Sequence, residues 1–564
     1  MANIWVKIMK KEKASKTYYA DFETTQPSED YGVEVYLWCV VSGDYKECGY
    51  DIVSFYKWLI ERPKCRIYFH NLSFDFSFLQ YFLIQNEIPY DILEKNGVIY
   101  SVKINNCQIC DSLNFLPMTL KEVGENFCKT YKKTSIDYNV YHGHKPTEDE
   151  INYCYNDCQV LEEGLTNYLT TLKEVLEENG AKESAKKVFK KLTNSGIAFE
   201  AFKELSDFER LCPKTTQANY ELFKQAYKGG YVYSNPRGIV KNVQMIDCNS
   251  MYPYIYSTID LPYGLPIPIE EWRTNEFKFY IINIDIRYEL KEGYIPIIGG
   301  GVGRFGGTIY KASSGGVYEN LTLCNIDFEL IKDFYEIDYT TNWCFGFRTK
   351  PNFFKKYCDI FINVKNQNKG VKRAVAKVML NSPYGKTAMN GLSEIKTYVI
   401  NENTNAVEGN VIGYKVDDNI YQYLPMAIAI TAGARRLLLT TAKKIGFEKV
   451  HYMDTDSIKF DSCKVDFEFD GKTLGAWKDE GLCELFKTIA PKKYVYYIDG
   501  VLHYTCAGFS KKVLEANMKH NCSVTYEEAI QYMTRFDSGL KLSCLQTKKV
   551  KGGRALLPVE KEMR

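Results

Sequence analysis

The chain is most easily bounded by what it lacks. No run of about 18 apolar residues occurs, so no segment reads as a membrane-spanning helix. The N-terminus, Met1 to Lys16, holds several lysines but no continuous apolar stretch, which excludes a secretory signal. A soluble, intracellular protein is therefore expected, cytoplasmic in its host and monomeric. Neither sign of charge dominates: 72 Lys and Arg face 70 Asp and Glu, a net charge of +2. Any polyanion must then be gripped by local basic stripes rather than a global field. Cysteines number 18, yet the one CxxC, Cys107-Gln108-Ile109-Cys110, has no partner pair at zinc-site spacing. Reduced core thiols are the better reading.

One apparent cofactor motif is also incomplete. Gly301-Val302-Gly303-Arg304-Phe305-Gly306 matches GxGxxG, but a dinucleotide site needs a helix to follow. Here Gly307-Thr308-Ile309-Tyr310 continues as turn and strand, and the match is rejected. With 45% hydrophobic and 15% aromatic residues, the 564-residue chain is too apolar for disorder. It is also too long for one core, since cores stop growing near about 250 to 300 residues.

The chemistry sits in acids at short spacing. Tyr452-Met453-Asp454-Thr455-Asp456-Ser457 places two carboxylates one residue apart in an apolar extended segment. At a strand period of two, Tyr452, Asp454 and Asp456 share a face. Such like charges repel strongly when desolvated, so the pair calls for a divalent cation or strong donors. Its flanks, Lys449-Val450-His451 and Ile458-Lys459-Phe460, make a buried, metal-holding hairpin the expectation, with an Asp-rich turn as the plain alternative.

The N-terminal third repeats the pattern. In Tyr18-Tyr19-Ala20-Asp21-Phe22-Glu23, Asp21 and Glu23 share one strand face. Asp75 follows a strand at Arg66 to Phe69, in the polar turn His70-Asn71-Leu72-Ser73-Phe74. Asp157 lies on a helix announced by Pro146 and the capping box Thr147-Glu148-Asp149-Glu150, four residues after Tyr153. This ordered set resembles the DEDDy 3′–5′ exonucleases, an RNase H-like fold. The resemblance implies that Asp21, Glu23, Asp75 and Asp157 hold two divalent ions and that Tyr153 orients the attacking water. It also implies that Lys133 contacts the scissile phosphate. Asn71, Phe74, Ser112 and Leu113 would hold the single-stranded 3′ end, with Phe74 as a stacking surface.

In the C-terminal two thirds, Val243-Gln244-Met245-Ile246-Asp247-Cys248 is an apolar strand ending in an acid, followed by Asn249-Ser250-Met251-Tyr252-Pro253 turning into a helix. Asp247 is the third carboxylate that a two-metal nucleotidyl-transfer site needs beside Asp454 and Asp456. Backbone amides at Ser250 and Met251 are placed to meet a triphosphate. A helix expected from Phe361 to Tyr384 carries Lys365, Lys369, Arg373, Lys377 and Asn381 every four residues, a basic stripe suited to phosphates. Lys369 and Lys372 read as solvated.

DxxSxYP, then Lys377-xxx-Asn381-Ser382-Pro383-Tyr384-Gly385, Thr431-Ala432-Gly433-Ala434-Arg435, YxDTDS and Lys492-Lys493-Tyr494 follow one another in the order of a family B DNA polymerase. With Tyr227-Lys228-Gly229-Gly230-Tyr231 between the halves and Cys506-Ala507-Gly508 near the end, the chain resembles the protein-primed, φ29-type branch of that family along essentially its whole length. The resemblance implies an α/β and α+β multidomain protein: an RNase H-like 3′–5′ exonuclease domain (1–180), a linker with the start of the polymerase domain (181–226), and a right-hand polymerase (227–564). Palm would occupy 240–293, 349–358 and 422–485, and fingers 359–390. Insertions would run at 294–348 and 391–421, the second as a long hairpin, with thumb and tail at 486–564. It further implies Mg²⁺, replaceable by Mn²⁺, at two ions per site. In the polymerase half these would lie on Asp247, Asp456, Asp454 and the Cys248 backbone. Lys365, Lys377, Asn381 and Tyr384 would bind the nucleotide, with Tyr252 as the steric gate against ribose. Tyr227, Gly229, Gly230, Thr431, Arg435, Tyr452, Lys492 and Tyr494 would bind DNA. Partners would be primer-template, dNTPs and a terminal priming protein.

Two residues depart from the pattern. Pro383 stands where an apolar residue is common, and Lys228 where arginine is known, which keeps charge but loses a bidentate fork. A rival reading, an exonuclease whose C-terminal half only grips DNA, leaves the palm acids unexplained. A single-strand-binding scaffold leaves both acid sets unexplained.

Overall fold

The structure, a computed structural model, describes residues 16–136, 139–269, 276–302, 308–518 and 523–563. The segment 1–15, Asp137-Tyr138, and the last four residues of the GxGxxG match with the following Gly307 (303–307) lie outside these residues.

The N-terminal domain is built on a seven-stranded mixed sheet. Its strand order is Tyr45–Gly49, Val35–Ser42, Lys16–Thr24, Cys65–Phe69, Cys107–Asp111, Val98–Ile104, Asp91–Lys95. Lys16–Thr24 runs antiparallel to Val35–Ser42 and parallel to Cys65–Phe69. Both faces are covered, which is why VYLWCVV is apolar at successive positions rather than alternating. Tyr18, Ala20 and Phe22 pack with the helices Ile52–Ile60 and Leu72–Gln85. Tyr19 faces the helix Glu148–Glu178 on the other side, and Asp21 and Glu23 share that face. That long helix starts at the predicted capping box: Thr147 Oγ1 accepts from the Glu150 N–H and the Glu150 carboxylate accepts from the Thr147 N–H.

The segment between the halves is packed. Phe199 and Phe202 of the helix Asn194–Glu204 are buried, and Phe202 stacks on Phe354 at 3.7 Å. The second large sheet is wholly antiparallel, in the order Val501–Cys506, Lys493–Ile498, Trp477–Ala490, Val240–Cys248, Ser457–Asp461, Val450–Asp454, Val232–Ser234. Beside it lies the helix Leu424–Ile445, buried along most of its length and opened by Pro425 in its first turn, where a missing N–H costs nothing. A four-stranded antiparallel sheet (Leu261–Ile269, Tyr335–Lys350, Phe279–Leu290, Glu319–Cys324) flanks it.

Three sequence expectations change. Asp454 ends one strand and pairs with Ser457, so Asp456 sits in a two-residue hairpin turn with Thr455 at φ +56°. The acids therefore flank a turn instead of sharing a strand face. The single helix expected over 361–384 is two, Lys355–Gln367 and Gly370–Asn381, because Lys369 is extended and Gly370 has φ +58°. Asp75 belongs to the first turn of the helix Leu72–Gln85 rather than to a loop. Pro383 lies just beyond the helix end and opens the short 3₁₀ turn Tyr384–Ala388, so it interrupts no helix interior.

The rejected GxGxxG does continue into a strand, Thr308–Lys311, paired with Ile298–Val302. The segment 391–421 contains the expected hairpin, Leu392–Ile400 with Val407–Val416. This hairpin leans on the N-terminal domain, where Glu94 accepts from Lys396 Nζ at 2.8 Å and from Tyr398 OH at 2.6 Å. A C-terminal hairpin, Lys541–Val550 with Gly553–Glu562, reaches the same region. Lys549 Nζ donates to the Val407 carbonyl, and the Val33 N–H donates to the Lys551 carbonyl at 3.0 Å.

Candidate active sites

The N-terminal acids converge. A cleft of about 1020 Å³ is lined by Asp21, Glu23, Asn71, Phe74, Asp75, Leu113, Lys133, Tyr153 and Asp157, with Arg554 of the C-terminal hairpin on its wall. Burial, more than any other cause, pushes the carboxyls upward. Glu23 is pushed up to about 9, Asp21 and Asp75 lie well above the carboxylate range, and Asp157 is raised despite the Lys133 ammonium. Mutual repulsion adds to the effect. Lys133 Nζ reaches Tyr153 OH at 2.8 Å and pairs with Asp157 Oδ2. The other Asp157 oxygen, Oδ1, is buried and accepts no hydrogen bond. A hard divalent cation would relieve all of these at once.

Asn71 adopts φ +68° at the start of the helix Leu72–Gln85, and its N–H donates to Asp111 Oδ1 at 3.1 Å. Asp111, buried, also accepts from the Leu113 N–H, so it fixes both strand-end loops of the cleft. Sequence reading did not single it out, although an acid closing the apolar strand Cys107–Asp111 was a visible signal. Ser112 is fully buried, with Oγ 2.8 Å from His70 Nδ1. Direct contact with a strand end does not suit it, and it serves instead to hold His70.

The second acid set joins two neighbouring strands. Asp247 pairs with Ser457 across the sheet, and the Cys248 N–H donates to the Asp456 carbonyl at 2.7 Å. These contacts bring Asp247 and the Asp454-Thr455-Asp456 turn to one sheet end. Burial and the Asp456 charge push Asp247 up to about 6; burial and Asp454 raise Asp456. Lys492 Nζ lies 3.3 Å from Asp454 Oδ2, and Tyr452 OH donates to the same oxygen at 3.2 Å. Tyr452 is fully buried, so it supports Asp454 and the Lys492 backbone instead of lying open to DNA. Lys459, absent from the sequence reading as a site residue, is 6% exposed, with its ammonium 5.2 Å from the Tyr452 ring centre and 4.8 Å from that of Tyr494. Burial lowers its pKa, while Asp454 and Asp247 act to keep it charged.

Beside these acids, Ser250 takes φ +53° and opens the helix Met251–Thr258. Lys365 Nζ donates to Asn249 Oδ1 at 3.2 Å and Ser250 Oγ at 3.1 Å. Burial and then the Arg373 and Lys377 charges lower its pKa, so an anion placed among these cations relieves their repulsion. The rings of Tyr252 and Tyr384 stack at 4.4 Å and 13°. Met251 is buried in the core, while Lys377 and Asn381 are exposed on the helix Gly370–Asn381.

Arg435 and Thr431 are corrected. Arg435 is buried, bonded to Asp327 at 3.0 and 2.6 Å and donating to the Lys228 and Gly229 carbonyls at 2.6 and 2.8 Å. Thr431 is 2% exposed and donates to the Ala427 carbonyl. Neither is open to DNA; Arg435 braces the Tyr227-Lys228-Gly229-Gly230 turn. Burial opposes the Asp327 charge, but Arg435 and Lys228 hold its carboxyl below the usual range. Asp327 was invisible in sequence because its partner lies 108 residues away.

The fold and its two acid sites define a right-hand polymerase carrying an RNase H-like domain. Solved structures bear this out: the phi29 DNA polymerase complexed with primer-template DNA and incoming nucleotide is similar with TM-score 0.84 and 26% identity, covering 98% of this chain and all of that one. The family profile "DNA polymerase type B, organellar and viral" matches residues 59–149 and 142–426. DNA polymerases of Bacillus phage PZA and Bacillus phage phi29 are 31% and 30% identical, each over at least 91% of this chain and 94% of the relative. That of Streptococcus phage Cp-1 is 26% identical over 87% of this chain and 90% of its own length. The chain belongs to the organellar and viral type B DNA polymerases and is a DNA-directed DNA polymerase. Among the described residues, no helix is long and apolar enough to cross a membrane.

Proposed function

We propose that the protein is a replicative, protein-primed DNA polymerase with a separate 3′–5′ proofreading site and intrinsic strand displacement. The observation that carries this reading is the existence of two acid clusters on two different sheets, each with its own lysine. Asp247, Asp456 and Asp454 hold two divalent ions at the synthetic site, with the Cys248 carbonyl as a further ligand, and Asp21, Glu23, Asp75 and Asp157 hold two at the degradative site. Mg²⁺ is the expected ion and Mn²⁺ a substitute. The raised carboxyls and the unpartnered Asp157 Oδ1 fit such ions. A bound divalent ion supplies Lewis-acid activation of the attacking oxygen and stabilises the leaving one.

In synthesis the primer 3′ hydroxyl attacks the α-phosphate of a dNTP in line. Lys365 and Lys377 neutralise the triphosphate, the Ser250 and Met251 amides orient it, and Asn381 contacts it from the exposed face of its helix. Tyr384 packs on the base and sugar, and Tyr252 closes the space a 2′ hydroxyl would need. Lys492 and Tyr494 hold the primer strand, the Tyr227-Lys228-Gly229-Gly230 turn the template, and Lys459 keeps the acids from repelling one another before nucleotide arrives. In degradation Tyr153 orients water, Lys133 meets the phosphate, and Asn71, Phe74 and Leu113 seat the unpaired 3′ end. The domain limits given above apply, the hairpin at 391–421 closing around template and the segment at 294–348 meeting the priming protein. Partners are primer-template DNA, dNTPs and that terminal protein.

Incubating a 5′-labelled primer on a template with Mg²⁺, with and without dNTPs, tests the two activities. Extension with dNTPs and shortening without them are expected; shortening in both would leave only the nuclease. Transfer of labelled dAMP onto a protein encoded beside this gene tests priming and identifies the partner.

A further inference from the structure

The degradative site contains a group that four carboxylates do not need. Cys154, fully buried between Tyr153 and Asp157 on the helix Glu148–Glu178, places its sulfur against Asp21 and Glu23. One carboxylate oxygen of each acid and the Cys154 Sγ all lie within 4.8 Å of one another. Zinc–sulfur and zinc–oxygen bonds of about 2.3 and 2.1 Å at tetrahedral angles put two ligand atoms roughly 3.5 Å apart. Side-chain movement of up to about 1.3 Å therefore closes the set around one ion. One helical turn from Cys154, the buried Asp157 Oδ1 accepts no hydrogen bond.

We propose that Cys154 makes the exonuclease cation site a mixed oxygen and sulfur site that captures thiophilic divalent ions, Zn²⁺ and Cd²⁺, in competition with Mg²⁺. The inference rests on reading Asp21 and Glu23 as metal ligands. An all-oxygen set suits a hard ion, whereas one thiolate shifts preference toward softer ones. On binding, the Cys154 thiol loses its proton to solvent and the sulfur bonds the ion, so no oxidant or reductant is involved. The captured ion occupies the position Mg²⁺ would take and holds Asp21 and Glu23 in the wrong coordination, which silences degradation without touching the second sheet.

The test is a Cd²⁺ titration of the full, metal-stripped chain, followed by the ultraviolet sulfur-to-cadmium charge-transfer band, for wild type, Cys154→Ser, Cys154→Ala and the double variant Asp21→Asn with Glu23→Gln. Near-ultraviolet circular dichroism checks that each variant is folded, and the two cysteine variants guard against failure of either one. The expected result is one equivalent of tight Cd²⁺ with a band lost in both cysteine variants and in the carboxylate variant. A band unchanged without Cys154 overturns the proposal. So does a band lost with Cys154 but kept in the carboxylate variant, which would place the ion among Cys154 and the buried thiols of Cys39 and Cys158 that lie beside it. Mg²⁺-supported primer shortening by the wild type separately tests the exonuclease reading itself.

Discussion

Gly230 and Thr455 meet so closely that only glycine fits: a Cβ at Gly230 would stand 2.5 Å from Thr455 Oγ1 and 2.9 Å from its Cγ2. The Thr455 N–H also donates to the Tyr231 carbonyl at 2.9 Å, so this turn positions the acid hairpin directly. Gly230→Ala must displace the Asp454-Thr455-Asp456 turn. A misplacement of about 1 Å costs roughly 100-fold in rate, and a primer-extension loss of that size is expected with shortening unchanged. Adding Thr455→Gly removes the clash and suits the φ of +56°, so it should restore most extension.

Tyr252 stacks on Tyr384, and we propose that it closes the nucleotide site against ribose. Tyr252→Val opens space for a 2′ hydroxyl and should raise ribonucleotide insertion by several orders of magnitude, since a clash against one hydroxyl is worth a few kcal/mol. Single-turnover insertion of matched dNTP and rNTP measures this. Unchanged discrimination would reduce Tyr252 to a packing aromatic.

The N-terminal acids make stability depend on pH and metal. Glu23 is raised from 4.5 to about 9, so the folded state binds its proton more tightly than the unfolded chain. Its contribution is full below pH 4.5 and is lost as pH rises toward 9. Metal-stripped protein should therefore show a urea midpoint that falls across that window. Glu23→Gln should flatten the slope, and Mg²⁺ or Mn²⁺ should restore the midpoint at high pH.

The hairpin of Leu392–Ile400 and Val407–Val416 is tied to the N-terminal domain by Glu94 and to the C-terminal hairpin by Lys549. Replacing residues 393 to 419 with a short Gly/Ser linker should leave single-nucleotide insertion within about tenfold, about 1.4 kcal/mol in the barrier. Long products from one binding event, and copying through a downstream duplex with a trap present, should be largely lost. Glu94→Ala should give a weaker version of the same defect.

The acids and their order were legible because short motifs carry them: alternation at Asp21 and Glu23, a capping box before Tyr153, and the spacing around Asp247 and Asp456. Chain geometry between motifs was less legible. Extended backbone at Lys369 and a left-handed Gly370 broke a helix whose four-residue charge repeat continued across the break. Arg435 with Asp327, and Glu94 with Lys396, join residues 108 and 302 positions apart, which no local pattern signals. Lys459 was visible only as a flank of the expected buried hairpin, and its place beside Asp454 and Asp247 needs the sheet register.

The central claim is that two independent active sites share one chain, and a labelled primer-template with Mg²⁺ tests it across three proteins. Wild type should extend with dNTPs and shorten without them. Asp21→Ala with Glu23→Ala should extend but not shorten, and Asp456→Ala should shorten but not extend. Loss of both activities from either change, in protein with an unaltered unfolding transition, would contradict the account.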